Sequence, residues 1–391
     1  MIARVFIFIV LIIVLPDLYI DRYYYANRKS VSTWKRLARW LPAVVLTMAT
    51  AYFSLQSNFI PENTGWLYLY LLLIGVLVLP KIFFVLCSLL GRLWCKMTRR
   101  RRNWGNLIGF FLAIIVAILV LYGSFVGPCH IKVKHMELAF PNLPEAFDGY
   151  RMVQFSDIHI GTYAHFHPEI LKAAIDSVNA QQADVILFTG DLVNQQPQEL
   201  YPVQDLLGSL HAKDGVFSIL GNHDYSSYID ADPVIKVANE HEMISRQRQY
   251  GWKLLLNSRQ EVHHGNASII VAGEECDGRH DDEQRTNLSR TLDGVDSTAF
   301  IVLLQHKPSD WRKRILPDGR ASLTLSGHTH GGQIQLFGAR LSHLVYHEDY
   351  GLYEQDGRVL YVSGGVGGVL PFRLGISPEI TVITLRKKQS E

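Results

Sequence analysis

Apolar and polar positions divide the chain into two differently patterned parts. Before about residue 127, four long apolar stretches follow one another: Val5–Ile20, Trp40–Phe59, Trp66–Leu90 and Trp104–Val126. A bilayer core takes about 20 helical residues, and the fourth stretch meets that without interruption. Pro16, Pro42 and Pro80 interrupt the other three, and Lys81 lies inside the third. The pattern predicts about four transmembrane helices over residues 1–127, with three as the alternative. A cleavable signal peptide fits only the first stretch, and Asp17, Leu18 and Tyr19 stand where small cleavage-site residues are needed.

From Tyr150 the pattern changes to short buried runs alternating with helical segments. Met152–Phe155, Val185–Phe188 and Val216–Leu220 read as strands, and Pro168–Gln182 as an amphipathic helix with a proline in its first turn. Tyr201–Leu210 and Pro233–Tyr250 also read as helical, and Gly278–Thr291 as a charged loop or helix. Ser268–Gly273, Phe300–Leu304, Ser322–Leu325, Val359–Ser363 and Ile380–Leu385 are further strands. Strand–helix–strand order marks an α/β fold whose ligands gather beyond the strand tips. The expected organisation is a membrane region over 1–127, a linker over 128–148, a catalytic-sized domain over 149–386 and a tail over 387–391.

Charge orients the membrane part. Arg22, Arg28, Lys29, Lys35, Arg36 and Arg39 separate the first two stretches, and Arg92, Lys96 and Arg99–Arg102 separate the third and fourth. The link 58–65 carries no basic residue. Basic loops stay cytoplasmic, so the last helix delivers everything after Gly127 to the extracytoplasmic side. A net charge of +2 over 391 residues argues against a nucleic-acid partner. The oxidising side permits a Cys129–Cys276 disulfide, but spacing does not establish it. No C-x-x-C pair occurs, which argues against a thiolate metal knot.

Five clusters stand just past the apolar runs: FSDIH (Asp157, His159), FTGD (Asp191), LGNHD (Asn222, His223, Asp224), LLQH (His306) and LSGHTH (His328, His330). One histidine at a strand end is usually a satisfied polar residue. The same position recurring in every cluster points instead to a shared centre. Two carboxylates, an amide and four imidazoles suit a pair of divalent cations: Mn²⁺, Fe or Zn²⁺, with Mn²⁺ favoured. Asp157 and His159 alternate, as do His328 and His330, so in extended backbone each pair faces one site. Gly190 lets the chain turn so that Asp191 can bridge two ions. The glycines at 364, 365, 367 and 368 read as a tight loop near a ligand.

The ordered motifs D-I-H, G-D, G-N-H-D, a lone H and G-H-T-H closely resemble those of the calcineurin-like metallophosphoesterases, over about Gly149 to Leu385. The resemblance implies an α/β/β/α sandwich of two mixed sheets. It implies that Asp157, His159, Asp191 and His330 hold one metal, and that Asp191, Asn222, His306 and His328 hold the other. A water shared between the two ions would then attack the phosphorus. His223 would contact the phosphoryl group and help the leaving oxygen, and Asp224 would orient His223 through its other ring nitrogen. GHTHGGQI and LPFRLGISPEI resemble the membrane-linked branch that includes UDP-diacylglucosamine pyrophosphatase-like proteins. Many members of that branch carry Arg after the serine of the late Y-V-S motif, where this chain has Gly364.

The expected reaction is hydrolysis of a phosphate ester or anhydride on a lipid-linked or envelope substrate. Soluble phosphodiesters or monoesters such as nucleotides are the alternative, and a binding-only receptor or transport domain is the non-enzyme rival. Val366, Val369, Leu370 and Phe372 beside Arg373 read as a lip that meets acyl chains while the arginine meets phosphate, or else as a packed loop. The residues do not specify an oligomeric state.

Overall fold

The computed structural model describes residues 2–26, 32–58, 60–61, 64–166, 168–277 and 284–388. Arg28, Lys29 and the start of the charged segment at 278–283 lie outside the described residues. The chain forms two compact units, Met1–Val126 and Gly127–Glu391.

In the first unit each apolar stretch becomes a helix: Ile2–Ile20, Thr33–Ser54, Thr64–Thr98 and Gly105–Phe125. Thr64–Thr98 and the apolar run Gly105–Cys129 are long and apolar enough to cross a membrane. Pro80 does not end its helix, because the backbone widens to a π turn over Ile74–Val78 just before it. A wider turn accommodates the ring and the missing N–H. The last two helices pack closely through small residues: a Cβ on Gly109 would lie 3.0 Å from the Phe84 carbonyl oxygen. Lys81 is neither isolated nor exposed. Its Nζ lies 2.8 Å from the buried carboxylate of Asp17, which also accepts from Arg39 at 2.9 Å. Asp21 accepts from Arg36 and pairs with Arg39. Ionisable groups in an apolar bundle pair with one another in this way because a lone charge there is costly.

Among its described residues the second unit carries fourteen strands. They are β1 (Lys132–Phe140), β2 (Arg151–Phe155), β3 (Val185–Phe188), β4 (Val216–Ser218), β5 (Lys253–Leu254), β6 (Ser258–His264) and β7 (Ala267–Gly273). There follow β8 (Ile301–Leu304), β9 (Leu323–Ser326), β10 (Gln335–Leu336), β11 (Ala339–Arg340), β12 (Gly351–Gln355), β13 (Arg358–Val362) and β14 (Glu379–Lys387). One sheet runs β1-β14-β2-β3-β4-β5 and the other β12-β13-β9-β8-β7-β6, while β10 and β11 form a separate hairpin. Both large sheets are mixed. β2 to β5 run parallel with β14 antiparallel beside β2, and β7, β8, β9 and β13 run parallel between the antiparallel β6 and β12.

Alternate residues explain the layering. Met152, Leu187, Phe217 and Ile383 face Val271, Val302, Leu325 and Tyr361 in a core between the sheets. Val153, Phe155, Ile186 and Phe188 pack outward on Leu171, Ala174, Ile175 and Val178 of the helix Pro168–Asn179. Ile301, Leu303, Leu360 and Val362 pack outward on Leu288, Leu292, Trp311 and Ile315. Strands buried on both faces read as continuous apolar runs, and the result is the expected α/β/β/α sandwich.

The linker expected over 128–148 needs correction. Residues 132–140 form β1, paired in parallel with β14 along its whole length. It is an edge strand with one side half exposed, so Lys132, Lys134, His135 and Glu137 hid its strand character. Tyr201–Leu210 is likewise not one helix but a 3₁₀ segment, Pro197–Val203, followed by the short helix Gln204–Gly208.

Candidate metal centre

Every motif side chain sits beyond the carboxyl end of a parallel strand. Asp157 and His159 follow β2, Asp191 follows β3, and Asn222, His223 and Asp224 follow β4, all in one sheet. His306 follows β8, and His328 with His330 follow β9 of the other sheet. Donor atoms of Asp157, His159 and His330 lie within 4.8 Å of one another, and so do those of Asp191, His306 and His328. Asp191 joins the two groups, since its Oδ2 lies 3.7 Å from His159 Nε2 and 3.1 Å from His306 Nε2.

The backbone there is not extended, which corrects the alternation argument. Asp157, His159, Asp191, His328 and His330 all have φ between 52° and 75°. Non-glycine residues rarely adopt that left-handed region, and such conformations cluster at functional sites. The turned backbone sends His328 and His330 to different groups. The glycine loop holds it in place: Val366 and Gly367 donate N–H bonds to the Ser156 and Asp157 carbonyls at 2.9 and 2.8 Å. A Cβ on Gly365, itself at φ 70°, would lie 2.8 Å from the Asp157 Cβ.

Charge is arranged for cations. Burial pushes the Asp157 carboxyl up to about 7. Burial also opposes charge on Asp191, yet the imidazoles of His306 and His223 outweigh it and hold that carboxyl well below its usual range. Burial lowers His306, but Asp191 and Asp157 more than compensate and raise it to about 9. His159 falls to about 3 through burial and the nearby His223, and burial holds His328 and His330 well down. Several donors are buried with no hydrogen bond: both ring nitrogens of His159, Asn222 Oδ1, His306 Nε2 and His330 Nδ1. Such atoms are costly to leave unpaired. Their oxygen and nitrogen chemistry fits hard or borderline divalent ions.

Partners orient the imidazoles. His306 Nδ1 donates to the Thr189 carbonyl at 2.7 Å, which turns Nε2 toward Asp191. His223 Nδ1 donates to the Asn194 carbonyl at 2.6 Å. Asp224 therefore does not orient His223 as expected. Its carboxylate accepts instead from the backbone N–H groups of Gly221, Asp191, Leu192 and Val193 at 2.8 to 3.2 Å, and so ties the β3 and β4 tips together.

Arg373 also departs from expectation. It is buried at 1% exposure. Its guanidinium donates to the carbonyls of Gly364 at 2.7 Å, Gly365 at 3.1 Å and Gly367. It braces the glycine loop rather than facing a phosphate, and Val366 is buried with it. For Val366 and Arg373 the packed-loop alternative holds, whereas Val369, Leu370 and Phe372 are half-buried. Cys129 and Cys276 do not form a disulfide with each other.

Two supporting residues were missed in the sequence. Tyr228 stacks on His223 with ring centroids 4.1 Å apart, and its hydroxyl accepts from Asn222 Nδ2 at 2.7 Å. With Nδ2 so engaged, the buried amide oxygen is left without a hydrogen bond. Glu199 accepts four backbone N–H bonds, from Gly161, Asn194, Gln195 and Gln196, and so holds the loop whose Asn194 carbonyl positions His223. The Gln196/Glu199 capping box was the one available clue.

Comparison with known proteins gives the same direction. Residues 150–332 match the family model "Calcineurin-like phosphoesterase", and residues 3–128 match "Probable Calcineurin-like phosphoesterase, transmembrane domain". The metallophosphoesterase YkuE of Bacillus subtilis (strain 168) is 33% identical over 305 residues, covering 74% of this chain and 98% of that protein. A "Transmembrane protein with metallophosphoesterase domain" from Danio rerio is 28% identical, over 89% of this chain and 80% of its own. UDP-2,3-diacylglucosamine pyrophosphatase LpxG of Chlamydia trachomatis (serovar D) is 27% identical, over 70% of this chain and 95% of its own.

Proposed function

The chain belongs to the calcineurin-like metallophosphoesterases, and on that footing we propose that it hydrolyses a lipid-borne or other envelope phosphate ester or anhydride at the extracytoplasmic membrane face. It is a membrane-associated, metal-dependent phosphoesterase. The observation that carries the site assignment is the pair of donor groups joined by the Asp191 carboxylate.

In this reading Asp157, His159, His330 and Asp191 hold one divalent ion, and Asp191, Asn222, His306 and His328 hold the other. Two such cations supply charge to the phosphoryl oxygens and lower the pKa of water. Manganese suits the donor set, with iron and zinc as the other occupants to test. His223 contacts the phosphoryl group. Because Nδ1 donates to the Asn194 carbonyl, Nε2 is the nitrogen that hands a proton to the departing oxygen. Tyr228, stacked on the ring, and the Asn194 carbonyl, bonded to Nδ1, keep that nitrogen in place.

Two observations support the membrane-borne substrate. The catalytic sequence continues directly from an apolar helical unit, and one relative is named for a pyrophosphatase acting on a diacylated sugar nucleotide. The basic residues Arg22, Lys35, Arg36, Arg39, Arg92, Lys96 and Arg99–Arg102 support the extracytoplasmic side.

Elemental analysis of the purified full chain should find two divalent ions per chain, and Asp191→Ala should lose both ions and turnover. Lipid extracts incubated with the Mn²⁺-loaded protein should lose a phosphorylated species on chromatography. Turnover of soluble nucleotides alone would replace the lipid reading. A reporter fused after Glu391 that is active only in the cytoplasm would overturn the placement.

A further inference from the structure

The catalytic unit carries an apolar surface that the reaction does not require. Immediately after His330, Gly331 and Gly332, β10 and β11 form a hairpin with a two-residue turn, Phe337–Gly338. Both turn residues have positive φ, 51° and 83°, as the twist of a tight hairpin demands. Asn or Gly normally takes the first position, and a bulky residue there is uncommon. Phe337 is nonetheless fully exposed, so no contact within the chain offsets that strained backbone. Leu344 is 83%, Val345 77%, Leu341 65% and Leu336 44% exposed. Five large apolar side chains within ten residues form the kind of exposed patch that marks an interaction site.

Charge is absent from this stretch in any free form. Between Gln333 and Tyr346 there is no carboxylate, and the one arginine, Arg340, is paired with the buried Asp349 at 2.7 Å. The stretch is moored to the metal centre at both ends. It begins on His330 and ends at Tyr346, whose hydroxyl lies 3.2 Å from His328 Nε2.

The occupant follows from where the chain enters this unit. Only Val126 separates the end of the last apolar helix, Phe125, from Gly127. Gly127 abuts the Arg373 carbonyl so closely that a Cβ there would collide with it. The next two residues, Leu374 and Gly375, bridge to Ile334, and Gln335 N–H donates to the Leu374 carbonyl at 2.7 Å. Within this unit the base of the hairpin is therefore bridged to the residue that follows Arg373, against which the entering chain at Gly127 packs. Water-exposed apolar side chains at that corner have an apolar phase within reach.

We propose that Leu336, Phe337, Leu341, Leu344 and Val345 insert into the adjoining lipid leaflet, so that the metal centre meets phosphate at the headgroup level of the bilayer. Amphipathic surface elements bury their apolar side about 5–10 Å into that boundary. Insertion itself is independent of the substrate, and only its consequence for turnover rests on the lipid-phosphate reading.

The test uses the full chain in phosphatidylcholine nanodiscs carrying Phe337→Trp. Relative to the parent protein, the added indole emission should be blue-shifted and quenched by lipids brominated near the top of the acyl chain. Water-like, unquenched emission overturns the proposal, including the case in which a second copy of the chain covers the patch. A second variant, Phe337→Asp with Leu344→Asp, should hydrolyse bis(4-nitrophenyl) phosphate at the parent rate and a bilayer-borne phosphate ester at least about tenfold more slowly. Equal loss of both activities makes the hairpin a structural prop and overturns the proposal. Failure of the parent to hydrolyse either compound counts against the proposed reaction, while the quenching result still decides insertion.

Discussion

At the scale of single residues, the metal centre turns on who bonds to whom. His223→Ala should retain both ions by elemental analysis yet lose roughly two orders of magnitude or more in kcat, because it removes proton transfer and not a ligand. Asp224→Ala should behave differently. It strips the acceptor from four buried N–H groups, so we expect a loss of about 3 kcal/mol or more in chemical denaturation together with weaker metal binding. Protons and cations compete for the same atoms. In the ion-free protein Asp157 keeps its proton up to about pH 7 and His306 up to about pH 9. Metal affinity should therefore rise with pH across that window, and proton release on binding should fall. Calorimetric titration in buffers of different ionisation enthalpy, at about pH 6.5 and pH 9.5, counts those protons; constant release would contradict the assignment. The six side chains that the structure gathers into two metal-capable groups were legible because residue type and motif order survive in a one-dimensional string. The partners of His223, Asp224 and Arg373 were not, because each choice depends on a loop conformation: Asn194 approaches His223 only once Glu199 has gathered four N–H groups.

At the scale of elements, periodicity served the buried strands and failed at the edges. Val185–Phe188 matches its expected limits because both faces are covered. β1 escaped notice because an edge strand keeps charged side chains on its open side. The four apolar stretches likewise gave the four helices, while Pro80 misled because a π turn absorbs it. Lys81 was recognisable as unusual, but its partner Asp17, 64 residues away, was not. Lys81→Leu should destabilise the helical unit by about 3 kcal/mol, since it leaves a buried carboxylate with fewer cations. Combining it with Asp17→Leu should recover part of the loss. Thermal unfolding in detergent measures both, and an unchanged midpoint for the single variant would remove the ion pair from the stability of the bundle.

At the scale of the whole catalytic unit, the candidate ligands come from both sheets: Asp157, His159, Asp191 and Asn222 from one, His306, His328 and His330 from the other. Cations held there would staple the two halves of the sandwich. Chelation should lower the melting temperature, because an ion present at 1,000 times its Kd adds about 4 kcal/mol per site to the folded state. Restoring the metal should restore the midpoint. Equal midpoints with and without chelator would show that the sheets stand together unaided. The sandwich class was readable from alternating strands and helices, but strand order was not. The insertion of β14 between β1, to which it is parallel, and β2, to which it is antiparallel, joins segments more than 220 residues apart.

That insertion has a consequence during biosynthesis. β1 leaves the ribosome early, yet its only sheet neighbour is the final strand. The interval spans about 240 residues of translation, on the order of 10–50 s at ordinary elongation rates. Throughout that time the nascent first strand has an open edge and no template, so the cell must keep it from pairing with stray chains until β14 has been made.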